Sequence, residues 1–183
     1  MVDSGTFPNM KIGNRRLNRL SKKRSSKIRK LSNIAFIDGR WQCVYFAGPP
    51  FGGNMVQHHT EVSLILQKIE LDEYCRWDVP CDADVLLVIN DVSYLLENHR
   101  GTQNEKDMEK RIEKLKEWDG TILWVCKNET VLKEVMRHTK PISEKCLYTT
   151  FAQATTDPHA DDAWRFTDGL RTDLPRVGEQ LDP

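Results

Sequence analysis

Residues 41–55 read Trp41-Gln42-Cys43-Val44-Tyr45-Phe46-Ala47-Gly48-Pro49-Pro50-Phe51-Gly52-Gly53-Asn54-Met55, and the fold expected for the chain depends on how that stretch is taken. Trp41 to Ala47 is short and mostly apolar, with aromatic and β-branched members, which predicts a buried strand. Gly48 to Gly53 is too rich in Gly and Pro for strand or helix and reads as a loop. Beyond it Val62, Ile65, Leu66 and Ile69 recur at i, i+3, i+4 and i+7, so a one-faced helix is expected over 55–69. Strand, glycine loop, helix is the setting a phosphate-binding loop requires. Gly48 and Gly53 have the spacing of the outer glycines in G-x-x-x-x-G-K-[ST], with Gly52 between them. The next two positions hold Asn54 and Met55 where that pattern has Lys and Ser or Thr. Asn54 brings no charge to a phosphate, and the Met55 thioether is a poor ligand for Mg²⁺. Two readings stand: a nucleotide loop that has lost its chemistry, or an ordinary strand-to-helix turn.

The chain has 183 residues, enough for one domain and a tail. No apolar run approaches the roughly 20 residues needed to span a bilayer, and no apolar secretory segment opens the sequence, so an intracellular protein without a membrane span is expected. The five cysteines (43, 75, 81, 126 and 146) form no C-x-x-C pair, which favours reduced, buried thiols over zinc. No metal site is expected. His58-His59 has no partner at ligand spacing and reads as a surface pair.

The net charge of zero hides an asymmetry. Residues 1–33 carry ten Lys or Arg against the single acid Asp3, leaving seventeen basic and twenty-six acidic residues in the remaining 150. The tract Arg15, Arg16, Arg19, Lys22, Lys23, Arg24, Lys27, Arg29 and Lys30 is too polar to fold alone. It reads as a phosphate-neutralising arm, a nuclear import address, or a solvated tail. No aromatic residue interleaves with it, so stacking on single-stranded bases is not expected of this tract.

Ile34 to Ile37 is a short apolar piece, and Asp38-Gly39 after it is a tight-turn signal. Val85 to Ile89 is uninterrupted and apolar, as in a strand of a parallel sheet, and ends in Asn90-Asp91. An acid there would hold Mg²⁺ in a nucleotide enzyme, although Asn and Asp are also common in plain turns. Residues 103–118 predict a helix that buries Met108, Ile112, Leu115 and Trp118. Thr121 to Cys126 is a core strand closed by Lys127-Asn128, and 130–138 a short helix. Cys146 to Thr155 reads as a fourth strand, with Trp164 to Thr167 its antiparallel partner. Alternating strands and helices predict an α/β architecture: a mainly parallel sheet flanked by helices, with an antiparallel carboxy-terminal hairpin. The expected boundaries are a basic disordered arm over 1–33, a core over 34–172 and a loose tail over 173–183. Gly48–Met55, Asn90-Asp91 and Lys127-Asn128 would all lie at carboxyl ends of strands, where such sheets bind ligands.

This order of parts resembles the RecA-like P-loop core of the eukaryotic strand-exchange recombinase and its paralogues, in truncated form. Gly39 through Met55 resembles the first strand and Walker A loop, Val85 to Leu96 the Walker B strand and its sequel, Ile122 to Asn128 the sensor strand, and Cys146 to Gly169 the closing hairpin. Both nucleotide motifs lack their charged residue, and only about thirty residues separate Gly53 from Val85. Such losses resemble the small accessory paralogues of the Shu-complex type and the small partner of the nematode paralogue complex. The resemblance implies a nuclear, non-catalytic mediator of homologous recombination. It would pair with another paralogue, act on recombinase filaments on single-stranded DNA, and meet ATP only through a partner subunit. An active P-loop NTPase using Asp91 and Lys127, or an unrelated α/β interaction module, are the alternatives. Phe151-Ala152-Gln153-Ala154 also matches the Phe-x-x-Ala element by which recombinases dock, but it falls in an expected core strand.

Overall fold

The computed structural model describes residues 28–35, 41–47, 53–76 and 78–178, and the chain divides into two compact units, residues 1–60 and 61–183. In the first unit β1 (Ile28–Ala35) and β2 (Trp41–Ala47) form a two-stranded antiparallel sheet, paired from Ile28↔Ala47 to Ala35↔Trp41. Asp38-Gly39 lies between them, outside the described residues; antiparallel pairing on either side is what such a turn permits. Trp41 to Ala47 is therefore a strand, as expected, but its partner is β1 and not a strand of the large sheet. A neighbour a few residues away closes a hairpin at small entropic cost, whereas a place in a parallel sheet needs a long crossover. The pairing begins inside the basic tract, with Arg29 opposite Phe46 and Lys30 opposite Tyr45. Gly48 and Gly52 lie outside the described residues, and Gly53, Asn54 and Met55 are the first three residues of α1 (Gly53–Leu66).

The second unit is organised around a hairpin. After β3 (Glu73–Cys75), an exposed edge strand, come β4 (Val85–Ile89) and β5 (Val92–His99), joined by Asn90 and Asp91 alone. Both linking residues have left-handed backbone, φ 49° and 63°. That is the type I′ turn whose twist matches a hairpin, and Asn and Asp tolerate it best after Gly. A two-residue connection permits only antiparallel pairing, so β4 cannot be the parallel strand that its apolar run predicted. Its burial alternates: Val85, Leu87 and Ile89 are fully buried and the two between them partly so.

From β5 the chain makes two successive crossovers, through α2 (Glu105–Leu115) to β6 (Thr121–Cys126) and through α3 (Glu129–His138) to β7 (Cys146–Thr150). Both put the new strand parallel beside the old one. Asn104 and Asn128 cap the two helices, each accepting a backbone N–H at 3.0 Å through its side-chain oxygen. The expected fourth strand stops at Thr150, whose hydroxyl caps α4 (Phe151–Thr156). β8 (Trp164–Arg165) then pairs antiparallel with β7, as expected, and β9 (Arg171–Thr172) with β8. The sheet has seven strands in the order β3-β4-β5-β6-β7-β8-β9, and only the β5–β6 and β6–β7 pairings are parallel. The unit is α/β with a mixed open sheet, not a mainly parallel one, because short turns rather than helices make the outer connections.

Met108, Ile112 and Leu115 of α2 and Leu132 and Val135 of α3 pack on Leu95, Ile122, Trp124, Cys126 and Tyr148. Each fully buried aliphatic side chain contributes about 1.5–3 kcal/mol. Trp118, expected in the same stripe, packs at its margin. The next residues along the strands, Leu96, Leu123 and Val125, point to the opposite face and are equally buried. The sheet is therefore covered on both sides.

Candidate functional site

β5 is apolar through Leu96 and then carries Glu97, Asn98 and His99, each only 6% exposed. Three polar side chains in a row inside a sheet each require a partner. Strand alternation sends them to different faces, and each face supplies its own answer.

On the α2 face, Arg111 holds Glu97. Its Nε donates to Oε2 at 3.1 Å, its Nη2 to Oε1, and its Nη1 to the Cys81 carbonyl at 2.9 Å. Burial first, and the charge of Asp84 second, push the Glu97 carboxyl up to about 8; Arg111 pulls the other way without cancelling them. Asp84 stands just before β4. The β4 pairing begins at Val85↔Leu96, so the Asn98 amide lies beyond it, and Asp84 Oδ2 accepts that N–H at 2.8 Å.

On the opposite face, Asn98 Nδ2 donates to Oε2 of the fully buried Glu61, in α1, at 3.3 Å. Arg100 Nε lies 3.2 Å from the same oxygen, an ion-pair distance, but it is not aligned for a hydrogen bond. Arg76 donates from Nη1 to Ser63 Oγ at 3.0 Å. Burial lowers its pKa, and the charges of Asp84 and Tyr74 partly restore it. His99, back on the same face as Glu97, sits edge-on to Trp124 with ring centroids 6.2 Å apart, and burial pushes its pKa down. The chain leaves the site through Gly101 at φ +73°, where an added Cβ would stand 2.7 Å from Val131 Cγ2.

The site thus gathers the carboxylates Glu61, Asp84 and Glu97 with the guanidinium groups Arg76, Arg100 and Arg111. Both oxygens of Glu97 face Arg111, and Glu61 faces Asn98 and Arg100. Among the described residues no three His, Cys, Asp or Glu side chains gather in a way that could hold a metal ion. The arrangement is an internal network of paired charges and hydrogen bonds.

The residues singled out from the sequence fall elsewhere. Asn90-Asp91 and Lys127-Asn128 do not converge. The antiparallel β4 carries the first pair to the amino-terminal end of β5, while Lys127 and Asn128 follow the carboxyl end of β6. A strand length of about 20 Å separates them. An NTPase built on Asp91 and Lys127 loses its geometry by that reversal. Asn90 instead braces the fold: its N–H donates to Asp72 Oδ2 at 2.7 Å, its Nδ2 to the Arg176 carbonyl at 2.9 Å, and its Oδ1 accepts the Gly178 N–H at 2.7 Å. Asn128 is a helix cap, and Lys127 is exposed, its N–H bonded to the His99 carbonyl at 3.0 Å. Phe151 and Ala154 are 5% and 0% exposed, so the Phe-x-x-Ala face packs inward and cannot dock as it stands. Arg15, Arg16, Arg19, Lys22, Lys23, Arg24 and Lys27 lie outside the described residues. Among the described residues, no helix is long and apolar enough to cross a membrane. Cys126 and Cys146 are buried thiols, while Cys75 is exposed.

Reading the sequence by motif missed Asp84, Glu97, Asn98, His99 and Arg111. A signal for Glu97, Asn98 and His99 was present. If Asn90-Asp91 is taken as a hairpin turn, Tyr94-Leu95-Leu96 becomes a second core strand running into Glu97-Asn98-His99-Arg100. No family model, curated protein or solved structure matches this chain.

Proposed function

We propose that the chain is a non-catalytic nucleic-acid-binding protein in which the basic segment before β1 engages phosphates and the α/β unit serves as a rigid body for a protein partner. One observation carries the reading: ten of the 27 Lys and Arg lie in the first 33 residues beside a single acid, ahead of a body in which acids outnumber bases. A cationic stretch of that density attracts a polyanion by counterion release, while the acidic body is repelled by it and stays available to other proteins. The buried charge network agrees with a binding role. A phosphodiester-cleaving reading would need Asp84 and Glu97 to share a divalent cation, and Arg111 already occupies both oxygens of Glu97.

In its narrower form the proposal is a nuclear accessory subunit that pairs with a recombinase paralogue and acts on recombinase filaments on single-stranded DNA. That form rests on the order of sequence parts. The antiparallel course of β4 removes the convergence of motifs that had favoured it.

The test is binding to single- and double-stranded DNA across a salt series. The full chain is compared with one lacking residues 1–27, a cut that leaves β1 whole. Each lost phosphate contact should flatten the slope of log K against log salt by roughly 0.7–0.9. Equal affinity and equal slope for the two proteins would refute the binding role of the segment. Capture of a stoichiometric recombinase paralogue by the full chain separates the narrower form from the broader one.

A further inference from the structure

Three loops of the second unit meet beneath residues 173–178: Glu70 to Asp72 before β3, the turn at Asn90, and Asp157 to His159 after α4. They are bonded to one another. His159 Nε2 accepts the Glu70 N–H at 2.8 Å, Asp157 Oδ1 the His159 N–H at 3.1 Å, and Asp72 Oδ2 the Asn90 N–H at 2.7 Å. None of these bonds involves residues 173–178, so the receiving groups are positioned independently of that segment. The segment itself has neither helix nor strand and is received largely through its main chain. His159 Nδ1 donates to the Leu174 carbonyl at 3.0 Å. The Asn90 side chain spans the next stretch, donating from Nδ2 to the Arg176 carbonyl at 2.9 Å and accepting the Gly178 N–H on Oδ1 at 2.7 Å. An amide that bonds the C=O of one residue and the N–H two residues on acts as a peptide group of a neighbouring strand does. Any extended segment offers those three main-chain atoms. Two side chains are read as well. Leu174 is buried, at 1% exposure, and Arg176 lies between two acids, its Nη1 donating to Glu70 Oε1 at 2.9 Å and its Nη2 3.9 Å from Asp157 Oδ1. In this mode of recognition main-chain bonds supply affinity and alternate side chains supply specificity. The acids are half-exposed, so they set charge preference and register more than affinity.

We propose that Glu70, Asn90, Asp157 and His159 form a peptide-binding surface for a protein partner, and that residues 174–178 occupy it in cis. The partner segment it fits is extended and carries a large aliphatic residue followed, two residues on, by an arginine. In naming that chemistry the proposal rests on the protein-partner half of the reading above and not on its nucleic-acid half. The charge balance agrees. Beyond residue 33 the chain has twenty-six acids and seventeen bases, so a basic segment is drawn to this body and an acidic one is not. The cis segment sits at an effective concentration on the order of millimolar, so the surface stays masked until a segment of matching chemistry competes for it.

A labelled synthetic peptide of residues 172–178 serves as the probe, and the full chain as the receptor. Leu174→Asp in the full chain removes the buried anchor of the cis segment and should open the surface. That variant should bind the peptide saturably, and at least about tenfold more tightly than the unaltered chain, in which the cis segment competes. In the peptide, Leu174→Asp should weaken binding by more than about tenfold and Arg176→Glu by about twofold to fivefold. Adding Asn90→Ala to the receptor variant should weaken binding by about twofold to tenfold, since two of the three main-chain bonds go with that side chain. No saturable binding by the Leu174→Asp chain overturns the proposal, and so does binding indifferent to both peptide substitutions. A dimer of the unaltered chain that Leu174→Asp dissolves overturns it in favour of exchange between two copies. If Leu174→Asp does not fold, the unaltered chain decides: excess peptide should speed hydrogen exchange at residues 173–178 and leave β6 unchanged, and no such acceleration overturns the proposal. Failure of these peptide tests while the full chain still captures a stoichiometric partner strikes this surface and leaves the broader reading standing.

Discussion

At one end of the β4–β5 hairpin, Asn90 and Asp91 close a turn with backbone conformations that their own side chains favour. At the other end β5 runs past its partner, and groups from α1, α2 and the segment before β4 bond Glu97, Asn98 Nδ2 and the Asn98 amide, while Asn98 Oδ1 is buried without a hydrogen bond. The closed end is local chemistry. The open end is an agreement among residues 61, 84, 97 and 111, which sequence distance separates and the fold brings together. The difference has an energetic consequence. A local turn can be weakened by a fraction of its worth, whereas a buried polar cluster that loses one member leaves other groups behind without partners.

The largest effect expected from that contrast is at the open end. Arg111→Ala leaves both Glu97 carboxyl oxygens and the Cys81 carbonyl without their donor and should destabilise the protein by roughly 1–3 kcal/mol for each group left unpaired, read in urea unfolding. The double variant Arg111→Met with Glu97→Leu should recover most of that loss, because it removes the desolvation penalty with the pair. If the double variant is as unstable as the single one, the network does more than satisfy its own charges.

The second effect is the dependence of stability on pH. The Glu97 carboxyl holds its proton to about pH 8 in the folded chain, against 4.5 as its ordinary value. Between those values the unfolded chain has released a proton that the folded chain keeps. The stability this group supplies is whole below about pH 4.5 and is lost as the pH rises through 8. The difference between wild type and Glu97→Gln should fall with a limiting slope of about 1.4 kcal/mol per pH unit across that window. Parallel curves would mean that Arg111 keeps Glu97 ionised throughout.

The same contrast explains what could be read from the chain. The core strand over 121–126, the helices over 105–115 and 129–138, and the β8 partner of β7 were legible, because apolar periodicity and flanking Gly, Asn or Pro act over a few residues. Asn90-Asp91 was ambiguous for a physical reason. An acid after an apolar run is the mark of a metal-binding strand end and equally of a tight turn, and only the direction of the next strand separates them. Once the next strand is antiparallel, every strand-end argument built on Asn90-Asp91 points to the wrong edge of the sheet. The network at Glu97 was legible as a polar interruption but not as a site, since Glu61, Asp84 and Arg111 carry no fixed spacing to it. Arg29 and Lys30, arm residues by charge, pair with Phe46 and Tyr45 respectively because local hairpin closure outweighs composition.

At the closed end the effects are smaller. Asn90→Ala removes a residue suited to φ 49° and the side-chain bonds to the Arg176 carbonyl and the Gly178 N–H. A loss of roughly 1–3 kcal/mol is expected. The exchange of residues 176–178 should rise more than that of β4, since both the Arg176 carbonyl and the Gly178 N–H bond to this side chain, while Leu174 stays held by His159. Activity in DNA binding should be unaffected, in contrast to what a nucleotide-contacting residue would give.

Asp91→Gly provides the finest test, because it should act in the opposite direction. Asp91 sits at φ 63° and is exposed, so its side chain contributes little beyond tolerance of that conformation. Glycine adopts the same backbone without steric penalty, and Asn-Gly is the favoured pair for a type I′ turn. Relief of the side-chain clash outweighs the greater entropy of an unfolded glycine at such a position, so stability should rise by about 0.4–1 kcal/mol. A metal-binding strand end would answer differently: loss of the acid would leave stability level or raise it, while abolishing any Mg²⁺-dependent change in stability. Thermal midpoints with and without Mg²⁺, compared between wild type and Asp91→Gly, therefore separate a turn from a ligand at the one residue where the sequence offered both.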